Sequence, residues 1–473
     1  MKHVIGRNNE KSILTNALKS SRAELIVIYG RRRIGKTYLI REIYKHHILF
    51  EFSGLHKVSY KDQLKNFNLT LRSYNKKSKD SSDWIEAFYQ LQIYFDKLKG
   101  KTKKVLFIDE FPWLDTRKSN FLAAFDRFWN SYASKRKDIV VVVCGSAASY
   151  IIKNIVKNKG GLHNRLTQTI QLEPFSLLET ELFLKHNKVK LTRYDILQIY
   201  MAMGGVPYYL EKIIPGESVA QALDRLCFKK NGFLQNEFQN VFASLFDQYD
   251  NHESIIRSLS KTRKGLTRNG LLKSSKLNSG GTLTKTLEEL EDSGFIDRYI
   301  PYQGTKDALY RLTDEYSMFY LKFIENTKPS TKPIWMKTQG QHSYKIWSGF
   351  SFESVCLKHV DQIKEGLKIS GINSTHGSWI EKNTKGGAQI DLLIDRDDNV
   401  INVCEMKFYN SKFTLDKKYA AEINRKSNAF QLNTSTKKSL FITFITTYGL
   451  HSNQYSQQYV QNELSMEHLF ELL

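Results

Sequence analysis

The sequence has little of what marks secreted, membrane-spanning or disordered proteins. Its 473 residues include only four cysteines, far apart, so it predicts neither a disulfide framework nor a zinc ribbon. The longest apolar run, residues 139–148, falls well short of the roughly 20 residues of a spanning helix. The amino terminus shows no apolar secretory core, and only 7 prolines with 41 % hydrophobic residues argue against disorder. We expect a soluble, cytoplasmic protein of roughly three domains.

Acidic residues are also scarce relative to basic ones. The chain has 48 Asp and Glu against 71 Lys and Arg, which gives a formal charge of +23. This excess indicates a polyanionic partner such as nucleic acid, most simply DNA, or an anionic membrane surface. A lysine-rich genome is the alternative explanation. We expect nucleic acid, and not a membrane, as the partner.

A glycine-rich loop follows the first short apolar run. Residues 30–37 fit G-x-x-x-x-G-K-[ST] between a predicted strand at 25–30 and a predicted helix at 37–44. In such loops backbone N–H groups surround phosphates, while Lys36 would reach the β- and γ-phosphates and Thr37 would ligate Mg²⁺. We therefore expect ATP and Mg²⁺ as cofactors. The expected nucleotide-contacting residues of this segment are Gly30, Arg31, Arg32, Arg33, Ile34, Gly35, Lys36, Thr37 and Tyr38.

Three further segments carry polar residues suited to phosphoryl transfer. The apolar run 105–108 leads to Asp109, a predicted metal ligand, and Glu110, which would polarise the attacking water. Ser146 follows the run 139–144 and would sense the γ-phosphate, although a simple turn serine explains it equally well. Arg165 would supply positive charge in trans to a neighbouring subunit, or is an ordinary surface arginine. Lys36, Glu110 and Arg165 are thus the predicted catalytic residues of a homo-oligomeric ATPase.

The order of these motifs resembles the archaeal-type ATPases of the AAA+/STAND lineage. The segments that carry the resemblance are residues 6–10, 30–37, 107–113, 144–146, 173–175 and 204–208. It implies a P-loop ATPase core at 1–180 followed by a helical lid at 181–245. It also implies that Arg7 lies near the adenine.

Residues 246–325 predict a small helical module with a β-ribbon. Helices are expected at 252–260, 265–273 and 282–290, followed by a two-stranded ribbon at 294–312. Three helices and a ribbon make a winged-helix module, whose third helix can enter the DNA major groove. The basic residues near it are Arg263, Lys264, Arg268, Lys273, Lys276 and Lys285. Packing against another protein surface is the alternative role.

A polar break at 326–333 precedes a last segment with a second possible chemistry. Asp391 lies on a predicted strand, and Glu405 and Lys407 share one face of the next strand because strand side chains alternate. Carboxylates suit Mg²⁺, and a neighbouring lysine would activate water or hold a phosphate. Glu353, on a predicted helix upstream, would add a third metal-binding carboxylate.

This carboxyl-terminal arrangement resembles the PD-(D/E)xK nucleases. Asp391 matches their metal-binding Asp, Glu405 and Lys407 match their Glu-x-Lys pair, and Glu353 matches a helical Glu. The resemblance implies a restriction-endonuclease-like α/β domain at 334–473 and a Mg²⁺-dependent DNA endonuclease. The expected protein is an α/β ATPase that processes DNA or defends against foreign DNA. The alternative is a STAND-type assembly switch with a catalytically inactive nuclease-like domain.

Overall fold

The computed structural model describes residues 4–100, 102–157, 162, 164–246, 248–277, 280–303, 307–381 and 387–472. The fold is mixed α/β. The chain divides into two compact units, the first ending at Glu173 and the second beginning at Pro174.

The first unit contains one five-stranded sheet with helices around it. Its strands are β1 Glu24–Tyr29, β2 Ile48–Ser53, β3 Lys104–Asp109, β4 Ile139–Gly145 and β5 Gln168–Gln171. Its helices are α1 Asn8–Lys19, α2 Lys36–Ile43, α3 Tyr60–Tyr74, α4 Trp84–Lys97, α5 Phe121–Ser131 and α6 Ala148–Ile151.

The sheet has the order β2-β3-β4-β1-β5, and all its strand pairs are parallel. Strands β1, β3 and β4 are buried along their whole length. A parallel sheet covered on both faces requires continuous apolar strands, which explains the unbroken apolar runs in the sequence. The order sets β4 between β1 and β3, so the carboxyl ends of these three strands are neighbours.

The second unit is larger and begins with helices. These are α7 Leu177–His186, α8 Arg193–Met203, α9 Pro207–Leu210, α10 Val219–Leu223, α11 Glu237–Leu245, α12 Asp250–Leu259, α13 Arg268–Ser275, α14 Gly281–Asp292, α15 Glu315–Phe319, α16 Trp335–Gln339, α17 His342–Lys358, α18 Val360–Gly366, α19 Lys417–Thr434 and α20 Gln454–Tyr459. Its strands are β6 Leu266–Thr267, β7 Ile296–Tyr299, β8 Leu309–Leu312, β9 Ser374–Ile380, β10 Gln389–Arg396, β11 Val400–Lys407, β12 Ser439–Thr446 and β13 Asn462–Ser465.

Two sheets organise these strands. The small sheet has the order β6-β8-β7 and is antiparallel, so the predicted ribbon carries a third, two-residue strand. The larger sheet has the order β13-β12-β11-β10-β9, with β9, β10 and β11 antiparallel and β11, β12 and β13 parallel. Helix α17 supplies Phe352, whose ring lies 5.8 Å from that of Phe408, just after β11.

No helix in the described part of the chain is long and apolar enough to cross a bilayer. One hydrophobic cluster of the second unit runs from Phe175 to Phe470 and includes residues of all three domains predicted there. A second cluster lies between the larger sheet and α19, with Trp379, Phe430 and Phe444 among its members.

Candidate functional site

The carboxyl ends of β1, β3 and β4 bring the glycine-rich loop and the acidic segment together. Tyr29 pairs with Gly145, and Ile108 pairs with Val143. The residues that follow, the loop from Gly30, the Asp109–Glu110 pair and Ser146, therefore emerge at one edge of the sheet. Ligands of parallel α/β sheets bind at this edge.

Two glycines shape the loop. Gly30 has φ +146°, and a Cβ placed there would lie 2.2 Å from the carbonyl oxygen of Leu172. Gly35 has φ +91° and comes directly before α2, so the loop turns into the helix through a left-handed residue. Both positions need glycine, the first because neighbouring backbone approaches and the second because of its backbone angle.

Lys36 lies inside the loop. Its ammonium donates 2.8 Å hydrogen bonds to the carbonyl oxygens of Gly30 and Arg31, and the residue is 7 % exposed. Burial lowers its pKa, while Cys144, Glu110 and Asp109 act in the opposite direction. A buried ammonium in a glycine-shaped loop at the start of a helix is suited to holding phosphate oxygens.

The other predicted loop residues differ in their surroundings. Arg31 is buried, Arg32 is exposed, and Arg33 adopts a left-handed φ of 72°. Ile34 is 2 % exposed and belongs to the core, so its contribution to a ligand would come from its backbone. The Tyr38 ring is 46 % exposed, on the first turn of α2.

Thr37 and Asp109 form the link between the loop and β3. The Thr37 hydroxyl donates a 2.8 Å hydrogen bond to Asp109 Oδ2, and the amide of Glu110 donates a 2.9 Å bond to Asp109 Oδ1. Mg²⁺ prefers oxygen ligands and accepts a few protein groups beside phosphate oxygens and water. This hydroxyl–carboxylate pair, next in sequence to the buried Lys36, has the oxygen atoms that the magnesium ion of a nucleotide requires.

Glu110 faces Ser146 across the ends of β3 and β4. The Ser146 hydroxyl donates a 2.9 Å hydrogen bond to Glu110 Oε2, and its amide approaches the same oxygen at 3.3 Å. Glu110 reaches this position through a left-handed backbone, with φ 45°. The carboxylate is thus held one residue beyond Asp109, where it can orient a water molecule for attack on a phosphate.

Arg7 and Arg165 lie at different places relative to this edge. Arg7 is 5 % exposed, and its guanidinium donates a 2.5 Å bond to the carbonyl of Glu173, next to the Leu172 that borders Gly30. Arg165 is exposed and precedes β5, whose Gln168 pairs with Ile26. Arg165 therefore lies toward the amino end of β1 and is not brought to Lys36 within one chain.

The carboxyl-terminal candidates converge on β10 and β11. Leu392 pairs with Cys404 in an antiparallel ladder, and continuing this register sets Asp391 opposite Glu405. Burial raises the pKa of Asp391, and the nearby charge of Glu405 raises it further.

Glu405 is held by cations and a phenol. Lys407 Nζ lies 2.8 Å from Glu405 Oε1 and Lys426 Nζ lies 3.4 Å from Oε2, while the Tyr419 hydroxyl donates to Oε1. The Lys407 ammonium lies 4.8 Å from the centre of the Tyr419 ring. Burial alone would raise the pKa of Glu405, but Lys407 and Lys426 outweigh it, and the pKa is lowered.

Glu353 joins this cluster from α17. Burial raises its pKa to about 8, Asp391 adds to the rise, and Arg263 and Lys407 oppose it. Among the described residues, however, no three His, Cys, Asp or Glu side chains converge closely enough to hold one metal ion. Glu353, Asp391 and Glu405 are neighbours, and their joint metal site stays a prediction.

Sequence reasoning did not find Tyr419 and Lys426. Both lie on α19, spaced seven residues apart and thus on one helix face, with Glu422 between them 3.6 Å from Lys426. The sequence shows that these residues share one polar face of a helix, but it does not show that this face contacts Glu405. The i, i+3, i+7 pattern of polar residues on an otherwise amphipathic helix was the available signal.

A comparison with known protein families finds one similarity, in the amino-terminal part of the chain. Residues 5–213 match the model of a family described as an ATPase domain predominantly from Archaea. This part of the chain is therefore similar to that ATPase domain, in agreement with the resemblance that the motifs indicate.

Comparisons with single proteins find one similar sequence and several weakly similar structures. The chain is 26 % identical over 436 residues to the uncharacterized protein MJECL04 of Methanocaldococcus jannaschii, covering 91 % of this chain and 93 % of that one. Among solved structures, the Walker-type ATPase PABY2304 of Pyrococcus abyssi has a TM-score of 0.49 at 15 % identity, covering 68 % of this chain and 96 % of its own. The ORC2 protein of Aeropyrum pernix, in ADPNP–ADP complexes, has a TM-score of 0.43 at 14 % identity, with 69 % and 94 % covered.

Proposed function

We propose that the protein binds and hydrolyses ATP in its first unit. The observation that carries the proposal is the Thr37–Asp109 hydrogen bond, 2.8 Å long, beside the buried ammonium of Lys36. The match of residues 5–213 to an ATPase family supports the same conclusion.

Each residue has a distinct role in this proposal. Loop N–H groups and Lys36 hold the β- and γ-phosphates, and Thr37 and Asp109 hold the magnesium ion that accompanies the nucleotide. Magnesium, when bound, neutralises charge that develops on the phosphate oxygens. Glu110 orients water, and Ser146 fixes the position of Glu110. Arg7 borders the loop, and Arg165 would act only on a neighbouring subunit.

Lys36→Ala tests the ATPase directly. Loss of the ammonium should lower ATP hydrolysis by about 100-fold or more, because it removes positive charge from a water-poor phosphate site. Steady-state phosphate release by the full chain measures this. Lys45→Ala is the matched control, since Lys45 is an exposed lysine two residues beyond α2. Equal turnover of both variants and wild type would eliminate the proposed site.

A second function is proposed for the carboxyl-terminal cluster: DNA binding with metal-dependent cleavage. The observation that favours it is that Glu353, Asp391, Glu405 and Lys407 are near enough for their charges to act on one another. Against it stands the spacing of the carboxylates, since no three potential ligands among the described residues lie close enough to hold one metal ion. The engagement of Glu405 with two lysines and a tyrosine also stands against it. The alternative proposal is that the protein is an ATP-dependent assembly switch, in which the nuclease-like domain that carries this cluster is catalytically inactive.

Plasmid cleavage separates these two proposals. If the cluster is a nuclease, supercoiled plasmid with Mg²⁺ or Mn²⁺ is nicked or linearised by wild type and not by Lys407→Ala. Lys412→Ala is the control, because Lys412 is an exposed lysine shortly after the same strand. If wild type leaves the plasmid intact while it hydrolyses ATP, the assembly switch is the better description.

A further inference from the structure

A strongly basic stretch lies in the second unit between α12 and α14. Residues 254–287 contain no Asp or Glu, and they carry eight Lys or Arg residues. Three of these, Lys261, Arg263 and Lys264, are exposed in the turn between α12 and β6. We call residues 261–265 the basic turn. Its charge suits phosphate groups rather than an apolar or basic partner.

The basic turn lies beside the carboxyl-terminal cluster. The Arg263 guanidinium lies 5.9 Å from the centre of the Phe350 ring on α17. Phe350 is one helical turn before Glu353 and so shares its helix face. Arg263 also lies close enough to Glu353 to act on its pKa. The turn and the cluster therefore border one another.

Two tyrosines fix this arrangement. The Tyr299 hydroxyl, at the end of β7, donates a 2.7 Å hydrogen bond to the carbonyl of Lys264. A few residues later, the Tyr302 amide donates a 2.6 Å bond to the carbonyl of Ser378 on β9, and its hydroxyl donates a 3.0 Å bond to Asp395 on β10. The small sheet is thus fastened both to the basic turn and to the sheet that carries Asp391.

Cations also border the cluster from α19. Lys426 and Lys407 flank Glu405, with side chains 16 % and 24 % exposed. The carboxylates therefore have cations at two places. Arg263 lies near α17, and the ammonium groups of Lys407 and Lys426 lie on β11 and α19. An extended polyanion can contact cations at both places, whereas a small anion would be satisfied by one of them.

We propose that the basic turn and the Lys407–Lys426 pair form one continuous contact surface for the phosphate backbone of a DNA strand, which runs across the carboxylates between them. The surface rests on the DNA binding proposed above and names the residues that guide the strand. Lys261, Arg263 and Lys264 contact phosphates and position the strand; they read no bases.

The salt dependence of DNA binding tests the surface. A triple variant, Lys261→Gln with Arg263→Gln and Lys264→Gln, is compared with wild type on a short DNA duplex, with Ca²⁺ as the cation. Loss of three phosphate contacts should weaken binding by about tenfold or more and reduce the slope of log K against log salt by about 2 to 3. The control variant replaces three exposed lysines elsewhere in the unit, Lys328, Lys332 and Lys337, by glutamine. Unfolding midpoints of both variants show that each is folded.

Equal losses in the two variants would overturn the surface, because they would reflect net charge alone. If wild type binds DNA and the triple variant binds as tightly, the surface is wrong while DNA binding stands. If wild type binds no DNA, the proposed DNA function fails together with the surface.

Photo-crosslinking tests whether one strand crosses both places. A duplex with a single photoreactive thymidine analogue at successive positions is irradiated with the full chain, and crosslinked peptides are identified. Crosslinks to residues 261–265 and to α19 or β11 from nearby nucleotides of one strand support the surface. Crosslinks to the basic turn without any to α19 or β11 would overturn it. This readout needs no cleavage, so it is independent of nuclease activity.

Discussion

Glu110 holds its position in an unfavourable backbone conformation. A residue with a Cβ rarely adopts φ 45°, and such strain, about 1 kcal/mol, persists where neighbouring structure imposes it. Contacts with Gly54 hold this backbone in place. The amide of Gly54 donates a 3.0 Å bond to the carbonyl of Asp109, and a Cβ at Gly54 would lie 2.6 Å from the carbonyl oxygen of Glu110. The result is a Glu110 carboxylate that accepts a hydrogen bond from Ser146 and lies beside Asp109, the proposed magnesium ligand.

Glu110→Gln should separate binding from hydrolysis. The amide keeps the size and the contact with Ser146 but cannot polarise water, so turnover should fall by about 100-fold or more while ATP still binds. Nucleotide affinity from calorimetry and turnover from phosphate release check both halves.

Ser146→Ala provides the comparison for Glu110→Gln. It removes the hydrogen bond from the hydroxyl to the Glu110 carboxylate but keeps the one from the Ser146 amide, so turnover should fall by only about tenfold. If Glu110→Gln turned over ATP as fast as Ser146→Ala, the assignment of Glu110 would be wrong.

The arrangement of the proposed nucleotide site could be predicted at the residue scale because its parts are local. Lys36 and Thr37 follow Gly35 directly, and Asp109 ends an apolar run that can only be a buried strand. Tyr419 and Lys426 are different. They meet Glu405 only because α19 packs across β11, and no local pattern encodes that packing.

At the scale of elements, a buried histidine joins α7 to the end of α17. The amide of Leu177, at the start of α7, donates a 3.1 Å bond to His359 Nε2, while His359 Nδ1 lies 2.8 Å from the carbonyl of Val355. These partners require a neutral ring with its proton on Nδ1. Burial lowers the pKa of His359 to about 4.

His359 should make the second unit sensitive to mild acid. At His359 the unfolded chain takes up a proton below a pH of about 6.5 and the folded one only near 4, so the contribution of His359 to the free energy of unfolding falls as pH drops across this window. The loss is at most about 3 kcal/mol. Denaturant unfolding at several pH values measures it. In His359→Gln the dependence in this window should flatten, although the variant is less stable at neutral pH.

His342→Gln is the matched control for this experiment, because His342 is exposed at the start of α17. It should keep the wild-type dependence on pH. The raised pKa of Glu353 acts in the opposite direction in the same window, so the comparison between variants is decisive. If the difference in unfolding free energy between wild type and His359→Gln were the same at pH 6.5 and at pH 4, the role given to His359 would be wrong.

Two of the strands that sequence analysis missed, β5 and β6, are short or weakly apolar. Strand β6 has two residues, and β5 has one buried residue among three exposed ones. Such strands form because a neighbour offers unpaired backbone groups: Leu266 pairs with Tyr310, and Ile28 pairs with Ile170. The parallel core strands were predictable because their burial on both faces leaves continuous apolar runs.

At the scale of the molecule, the predicted domains of the second unit pack against one another more closely than the polar break at 326–333 indicates. Trp335 is 1 % exposed, and its ring lies 6.1 Å from Phe228, 5.0 Å from Phe319 and 5.9 Å from Trp347. These partners belong to the predicted lid, winged-helix and nuclease-like domains. Asp224 also accepts bonds from the amides of Ile334 and Trp335, 2.8 and 2.9 Å long.

The predicted domains at 181–245, 246–325 and 334–473 all contribute residues to one hydrophobic core. Residues 326–333 connect parts of one hydrophobic cluster, and Ser330 donates a 3.0 Å bond to the carbonyl of Phe228. Movement within this unit would expose buried aromatic rings, so it costs more than rotation about a flexible linker. The domain bounds remain a proposal, and the unit is best tested as one piece.

The proposed functions assign ATP binding to the first unit and DNA binding to the second, and the binding of one ligand can change the affinity for the other. If nucleotide state controls DNA engagement, the ATP-loaded Glu110→Gln variant and the Lys36→Ala variant should differ in DNA affinity by about 5- to 150-fold, the usual range of coupling between two sites. Equilibrium coupling is reciprocal, so DNA must change the affinity of Glu110→Gln for ATP by the same factor. Fluorescence titrations in both directions measure the two factors. Equal DNA affinities with and without bound ATP would mean that nucleotide state does not control DNA binding, although one chain carries both sites.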